Sequence, residues 1–278
     1  GSWTLRDGAD DGLAVGHRGQ AAGIDERANL DNRQSGVRQP IDESHLGGCR
    51  RHRRNVLQPV ARADFDNRDA GRSTWLSHAG IPDVTRAMTR AWWRMPVAAP
   101  YLLDDMASDI VGLMDALGIQ AAHLVGASMG ATIAQCFAIN HSERLLSMTS
   151  IMSTTGDPDL PKPSASAVAA VMRPQPGTLQ GYVEQYVDTW KVLRVGRFTE
   201  EEARDRERAA RNHARGLNPP GSARHLVAIL ASGSRRRALR AVSAPTLVIH
   251  GDIDPLVPLA AGIDTARSIP GAELMVLE

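Results

Sequence analysis

The sequence predicts an α/β protein with a mostly parallel sheet flanked by helices and interrupted by an all-helical insertion. Its 278 residues are 42% hydrophobic and 23% charged, which is typical of a folded chain with a substantial core. From about residue 64 onwards, short apolar segments alternate with segments of helical periodicity, the pattern of a parallel sheet. Only helical patterns occur between residues 156 and 235, and these define the insertion.

The elements of the sheet region follow from periodicity and from stop residues. Asp105–Leu117 repeats apolar side chains at the spacing of one helical face, and Gly118 follows it as a helix stop. Ala131–Asn140 is apolar almost throughout and predicts a buried helix, while Leu259–Ser268 predicts a later one. The predicted strands are, in order, one that finishes within Ala61–Asp66, then Ala122–Val125, Leu145–Met152, Pro245–His250 and Glu273–Leu277.

The sequence of the insertion predicts four helices and a proline-rich loop. A short helix is expected around Ser166–Met172, and a longer one at Leu179–Leu193. Thr199-Glu200-Glu201-Glu202 has the pattern of a capping box and predicts the start of the next helix. Pro219–Gly221 ends that helix, and Ser222–Ala231 predicts the last one.

Composition excludes several classes of function. The net charge of +1 argues against nucleic acid as the main partner, and no apolar run is long enough to span a bilayer. Two cysteines cannot form a disulfide scaffold or a structural zinc site, so no metal site is predicted. No signal peptide is recognisable at the start of the sequence, which favours a cytoplasmic location.

A G-x-S-x-G motif, from Gly126 to Gly130, lies between a predicted strand and a predicted helix. This is the context of a nucleophile elbow, in which the two glycines leave room for a sharp turn that exposes the Ser128 hydroxyl. The backbone N–H of Met129, at the start of the helix, is then a predicted oxyanion donor. The alternative is a plain glycine-rich turn, because the pattern is common in a chain rich in glycine, alanine and serine.

A second set of reactive side chains follows the predicted strand that ends at His250. A carboxylate placed just after a strand shares the sheet edge with the elbow, where it can orient a histidine for proton transfer. We interpret Asp254, directly before Pro255, as the acid of a catalytic triad, and Asp252 as a turn or capping residue. Ordinary Asp-Pro turn chemistry is the alternative for both carboxylates.

Together these motifs resemble the α/β-hydrolase superfamily, in particular esterases and lipases related to anthracycline methylesterases. The resemblance covers residues 64–278 and is carried by three segments, 65–73 with a D-x-R-x-x-G-x-S loop, 123–130 and 245–258. It implies a hydrolase core at 63–155 and 236–278 and a helical cap at 156–235. It also implies Ser-His-Asp hydrolysis of a small-molecule ester, with no metal or organic cofactor.

Two regions depart from the family pattern. Such enzymes carry the catalytic histidine after the last core strand, whereas this sequence stops at Glu278, directly after the strand predicted there. Residues 1–62 match no family element and are poor in large aliphatic residues, which predicts an atypical or disordered segment. A shifted reading frame is one hypothesis for that segment.

Two classes of function follow from these features. The first is a carboxylesterase or lipase with Ser128 as nucleophile and Asp254 as acid, weak or inactive because the triad histidine is absent. The second is an incompetent hydrolase-like remnant that only binds small molecules. His213 and His225 in the insertion are alternative bases, and Tyr182, Tyr186 and Trp190 share a helix face that lines either a substrate pocket or the core of the insertion. The sequence leaves the oligomeric state, the ester and the second oxyanion donor open.

Overall fold

The computed structural model describes residues 62–278. The expectations for residues 1–61, including the atypical N-terminal segment, lie outside the described residues. Within residues 62–278, the alternation of strands and helices agrees with the predicted α/β class.

Four parallel strands form the sheet of the described region, in the order β1-β2-β3-β4. Every one of them lies within three residues of its predicted bounds. Because the strands are parallel, their carboxyl ends meet at one edge, and the loops that leave this edge carry the predicted site residues. The strands are β1 (Ala122–Ala127), β2 (Leu145–Ile151), β3 (Thr246–Gly251) and β4 (Glu273–Leu277).

Helix α3 fills the core against β1 and β2. Nine of its twelve residues are buried, which explains why its sequence shows no polar face. Helix α2 packs on α3 through the apolar stripe predicted from its spacing, and α8 packs on β3 and β4. The eight α-helices of the described region are α1 (Val84–Trp92), α2 (Leu103–Ala116), α3 (Met129–Asn140), α4 (Ala165–Val171), α5 (Leu179–Leu193), α6 (Glu202–Ala214), α7 (Pro219–Ser232) and α8 (Leu259–Ser268).

Helices α4 to α7 form the insertion between β2 and β3, as predicted. Side chains cap three of them, because Ser164, Thr178 and Asn218 each accept a hydrogen bond from a backbone N–H in the first turn of the helix that follows. The prediction that Pro219–Gly221 ends the preceding helix was wrong. Helix α6 already ends at Ala214, and Pro219 begins α7 at its first position, where a missing N–H costs nothing. The division of the chain into core and cap domains remains a prediction.

Two other local predictions were wrong, and one helix was not predicted. Residues 62–67 form no strand. Thr199 begins a short 3-10 helix, and its side chain makes no capping bond, because α6 starts only at Glu202. Helix α1 was not predicted, because its threonines and arginines leave only a narrow apolar stripe in the sequence. Only Ala87 of that helix is buried.

A buried ion pair ties the loop after residue 66 to the insertion. Arg224 of α7 donates from Nε and Nη2 to both carboxylate oxygens of Asp69, at 2.8 and 2.6 Å. Tyr101 also donates to Asp69, and the carboxylate and guanidinium are almost fully buried. Burial by itself would raise the pKa of Asp69, but the hydrogen bonds from Arg224, the Leu76 N–H and Tyr101 outweigh it, so the net pKa is lowered. The D-x-R-x-x-G-x-S loop is therefore held to α7 by this ion pair.

Candidate active site

Ser128 lies on a strained turn between β1 and α3. Its φ of 52° is in the left-handed region that a residue with a Cβ rarely adopts, at a cost of about 1–3 kcal/mol. Two neighbours fix the turn, since the Ser128 N–H donates to the Ile151 carbonyl at 2.9 Å and the Ser153 hydroxyl donates to the Ser128 carbonyl at 3.0 Å. The backbone is that of a nucleophile elbow.

The flanking residues explain the G-x-S-x-G spacing. A Cβ on Gly126 would lie 2.4 Å from the Gly130 carbonyl oxygen and 2.6 Å from the Ala131 Cα, so only glycine fits there. Met129 is the first residue of α3, so its N–H has no acceptor within the helix and points out of the N-terminus. This N–H and the helix dipole favour negative charge beside Ser128.

Asp254 is oriented by backbone groups of its own loop. Its Oδ1 accepts from the N–H groups of Leu256 and Val257, both at 2.9 Å, which leaves Oδ2 free to accept from another donor. Oδ2 lies 3.8 Å from Nε2 of His250. The Asx-type turn thus aims one carboxylate oxygen away from its own loop, as the orienting acid of a triad requires.

A cavity of about 530 Å³ contains both Ser128 and Asp254 in its lining. One wall is the carboxyl edge of the sheet, with residues that end β2, β3 and β4, and the other is the end of α5 and the loop after it. Most of its side chains are apolar, among them Ile151, Met152, Ile249, Leu256 and Val257. The cavity has the size and the character of a small-molecule site.

None of the six histidines in residues 62–278 offers a ring nitrogen to this cavity. Only His250 lines it, but Nε2 donates to the Val257 carbonyl at 2.7 Å, and Nδ1 packs against the backbone of Gly262. His225 is bound to the Arg68 carbonyl at 2.6 Å, and His213 packs on Tyr182. The two histidines considered as alternative bases therefore make other contacts.

The insertion contributes residues that sequence reasoning missed. Arg194, Arg197 and Phe198, in the loop after α5, line the cavity, and no sequence pattern marks them. Trp190 lines it too, whereas Tyr182 and Tyr186 stack within the insertion, and burial raises the pKa of both phenols. Within residues 62–278, no group of three or more His, Cys, Asp or Glu side chains is placed to hold a metal ion.

Comparison with known proteins agrees with this fold. The family model described as the alpha/beta hydrolase fold matches residues 65–278. Rhodomycin D methylesterase DnrP of Streptomyces peucetius is 30% identical over 235 residues, covering 77% of this chain and 72% of that protein. The 2-hydroxymuconate semialdehyde hydrolase of Pseudomonas sp. (strain CF600) is 30% identical over 259 residues, covering 80% and 84%.

A solved structure supports the fold alone. The malate-bound thermophilic esterase from Thermogutta terrifontis superposes with a TM-score of 0.52 at 21% identity, covering 77% of this chain and 70% of that one. None of the helices between residues 62 and 278 combines the length and the apolar character that crossing a bilayer requires. With its parallel sheet and a family match over about three quarters of its length, the chain belongs to the alpha/beta hydrolase fold family and is a hydrolase of the esterase type.

Proposed function

We propose that this protein hydrolyses a carboxylic ester with Ser128 as the nucleophile. The observation that carries the proposal is the strained serine at φ 52°, which lines the same cavity as the backbone-oriented Asp254. The Ser128 oxygen attacks the acyl carbon, and its proton passes to a histidine and then to the departing alcohol. Water then cleaves the acyl-serine to release the acid.

The surrounding groups have defined roles in this proposal. The Met129 N–H donates to the oxyanion that forms on the ester carbonyl, helped by the N-terminus of α3. The free Oδ2 of Asp254 accepts from the histidine and stabilises its charged form. Because the cavity lining is mostly apolar, we expect an ester whose acyl or alcohol part is apolar.

None of the six histidines in residues 62–278 is placed to act as this base. His250 lines the cavity but bonds to the Val257 carbonyl, and the other five described histidines lie outside the cavity lining. Removal of one member of a catalytic triad lowers kcat by a factor on the order of 10⁴–10⁶. We therefore expect residues 62–278 by themselves to hydrolyse esters weakly, or to bind them without turnover.

A fluorophosphonate probe tests the nucleophile directly, because its rate of labelling rises with the activation of the serine hydroxyl. We expect slow labelling at Ser128, absent in Ser128→Ala, and a faster rate when millimolar imidazole is added beside the free Oδ2 of Asp254. A panel of p-nitrophenyl esters measures turnover in parallel. Folded protein that neither labels nor turns over any ester, with or without imidazole, would favour the small-molecule binder instead.

A further inference from the structure

A nonpolar surface patch surrounds α1 and the turn after it. Trp92 and Trp93 are 71% and 70% exposed, which is far more than tryptophan usually shows in a folded protein. Three more large apolar side chains between residues 81 and 95 are also exposed, and none of the five lines the cavity that contains Ser128. We call this set the tryptophan patch: Ile81, Met88, Trp92, Trp93 and Met95.

The backbone groups the patch residues together. Met88 and Trp92 are four residues apart in α1 and so share a face, whereas Ala87 is buried where α1 packs on α7. The chain then folds back over the end of the helix, because the Met95 N–H donates to the Arg90 carbonyl at 2.8 Å. This turn keeps Trp93 and Met95 at the C-terminal end of α1.

The same segment is positively charged. Arg86, Arg90 and Arg94 follow one another at intervals of four residues, and no acidic residue occurs between Val84 and Leu103. Arg94 is paired with Asp159, but both side chains are about two-thirds exposed, so that pair contributes little. The segment that carries the tryptophan patch therefore also carries guanidinium groups, of which those of Arg86 and Arg94 are exposed to solvent.

We propose that the tryptophan patch docks this protein onto a bilayer surface that carries anionic lipid headgroups. Tryptophan favours the boundary between headgroups and acyl chains, because its ring is apolar and its N–H is polar. Arginines beside it add attraction to anionic lipid and extend their charged ends into the headgroup layer. The segment from Val84 to Leu103 supplies both features and contains no acidic residue of its own, and the exposed Asp159 that contacts it is paired with Arg94.

Vesicle co-sedimentation of the full chain tests the proposal. Vesicles of phosphatidylcholine with about 30% phosphatidylglycerol are compared with pure phosphatidylcholine, at low and at high salt. We expect at least tenfold tighter binding to the anionic vesicles, weakened by salt. Trp92→Ala with Trp93→Ala should lower that affinity at least tenfold, and Arg86→Gln with Arg94→Gln should lower it by about fivefold per arginine.

Matched variants control for general losses of apolar surface and of charge. Val171→Ala with Met172→Ala removes two apolar side chains of another exposed segment, and Arg237→Gln with Arg240→Gln removes two exposed arginines elsewhere. Both pairs should bind vesicles as the unmodified chain does. Ser128→Ala should also bind normally, so that vesicle binding is scored independently of hydrolysis.

Three results would overturn the proposal. The first is equal binding to neutral and anionic vesicles, and the second is full binding by the double tryptophan variant. The third is no vesicle binding together with a dimer, seen by analytical ultracentrifugation, that the tryptophan variant converts to a monomer. That last outcome would assign the patch to contact between copies of this chain.

Discussion

Replacing Gly126 with alanine should displace the nucleophile elbow. The new Cβ would lie 2.4–2.6 Å from three backbone atoms of Gly130 and Ala131. Ordinary contact needs about 3.4 Å or more, so the backbone must shift by about 1 Å. Because a change of rotamer cannot relieve a clash with backbone atoms, we expect the free energy of unfolding to fall by about 1–3 kcal/mol, or Tm to fall by about 2–12 °C. A shift of this size at a nucleophile should lower its reactivity about 10²-fold.

The rate of fluorophosphonate labelling at Ser128 and a thermal melt measure these two effects. Gly112→Ala is the matched control, because a Cβ at that position in α2 meets no atom within 4 Å. That control should label at the normal rate and gain up to about 1 kcal/mol from the better helix former. Normal labelling and normal Tm in Gly126→Ala would refute the elbow geometry.

Three further predictions concern the framework around the site. Asp69→Asn should lower the free energy of unfolding, measured by urea titration, by about 3–5 kcal/mol, because it leaves Arg224 buried without a countercharge. Adding Arg224→Met to this variant should recover part of the loss. Gly262→Ala should lower the urea midpoint, since its Cβ would lie 2.4 Å from Nδ1 of the His250 ring, and an unchanged midpoint would contradict that packing. Burial lowers the pKa of His225 below its ordinary 6.5, so below that pH the unfolded chain binds this proton more readily than the folded one. The free energy of unfolding should therefore fall as the pH drops below 6.5, and His225→Gln should flatten this dependence.

Local patterns predicted the structure around Ser128 and Asp254 well. The G-x-S-x-G motif and the strand and helix around it lie next to each other in sequence, so Ser128 could be placed on its turn without any tertiary information. Asp254 could be placed just after a strand for the same reason, and parallel strands bring both residues to one edge. Their roles in catalysis stay predictions that the labelling experiment addresses.

Segments with mixed composition were predicted less well. Helix α1 was missed because arginine, threonine and tryptophan occupy its exposed face, so only a narrow apolar stripe marks it. The capping box at Thr199 failed for a related reason, since a four-residue pattern does not reveal that the first turn is a 3-10 helix. Whether a first turn is a 3-10 helix or an α-helix depends on the contacts that the turn makes after folding.

The sequence by itself therefore determined the α/β class, the helical insertion and the position of the elbow, because neighbouring residues decide each of these. Only the tertiary structure decided which distant side chains meet. It pairs Asp69 with Arg224 across 155 positions, brings Phe198 to the cavity of Ser128, and bonds the His225 ring to the Arg68 carbonyl. Such contacts depend on how helices pack against the sheet edge, and no periodicity along the chain records that packing.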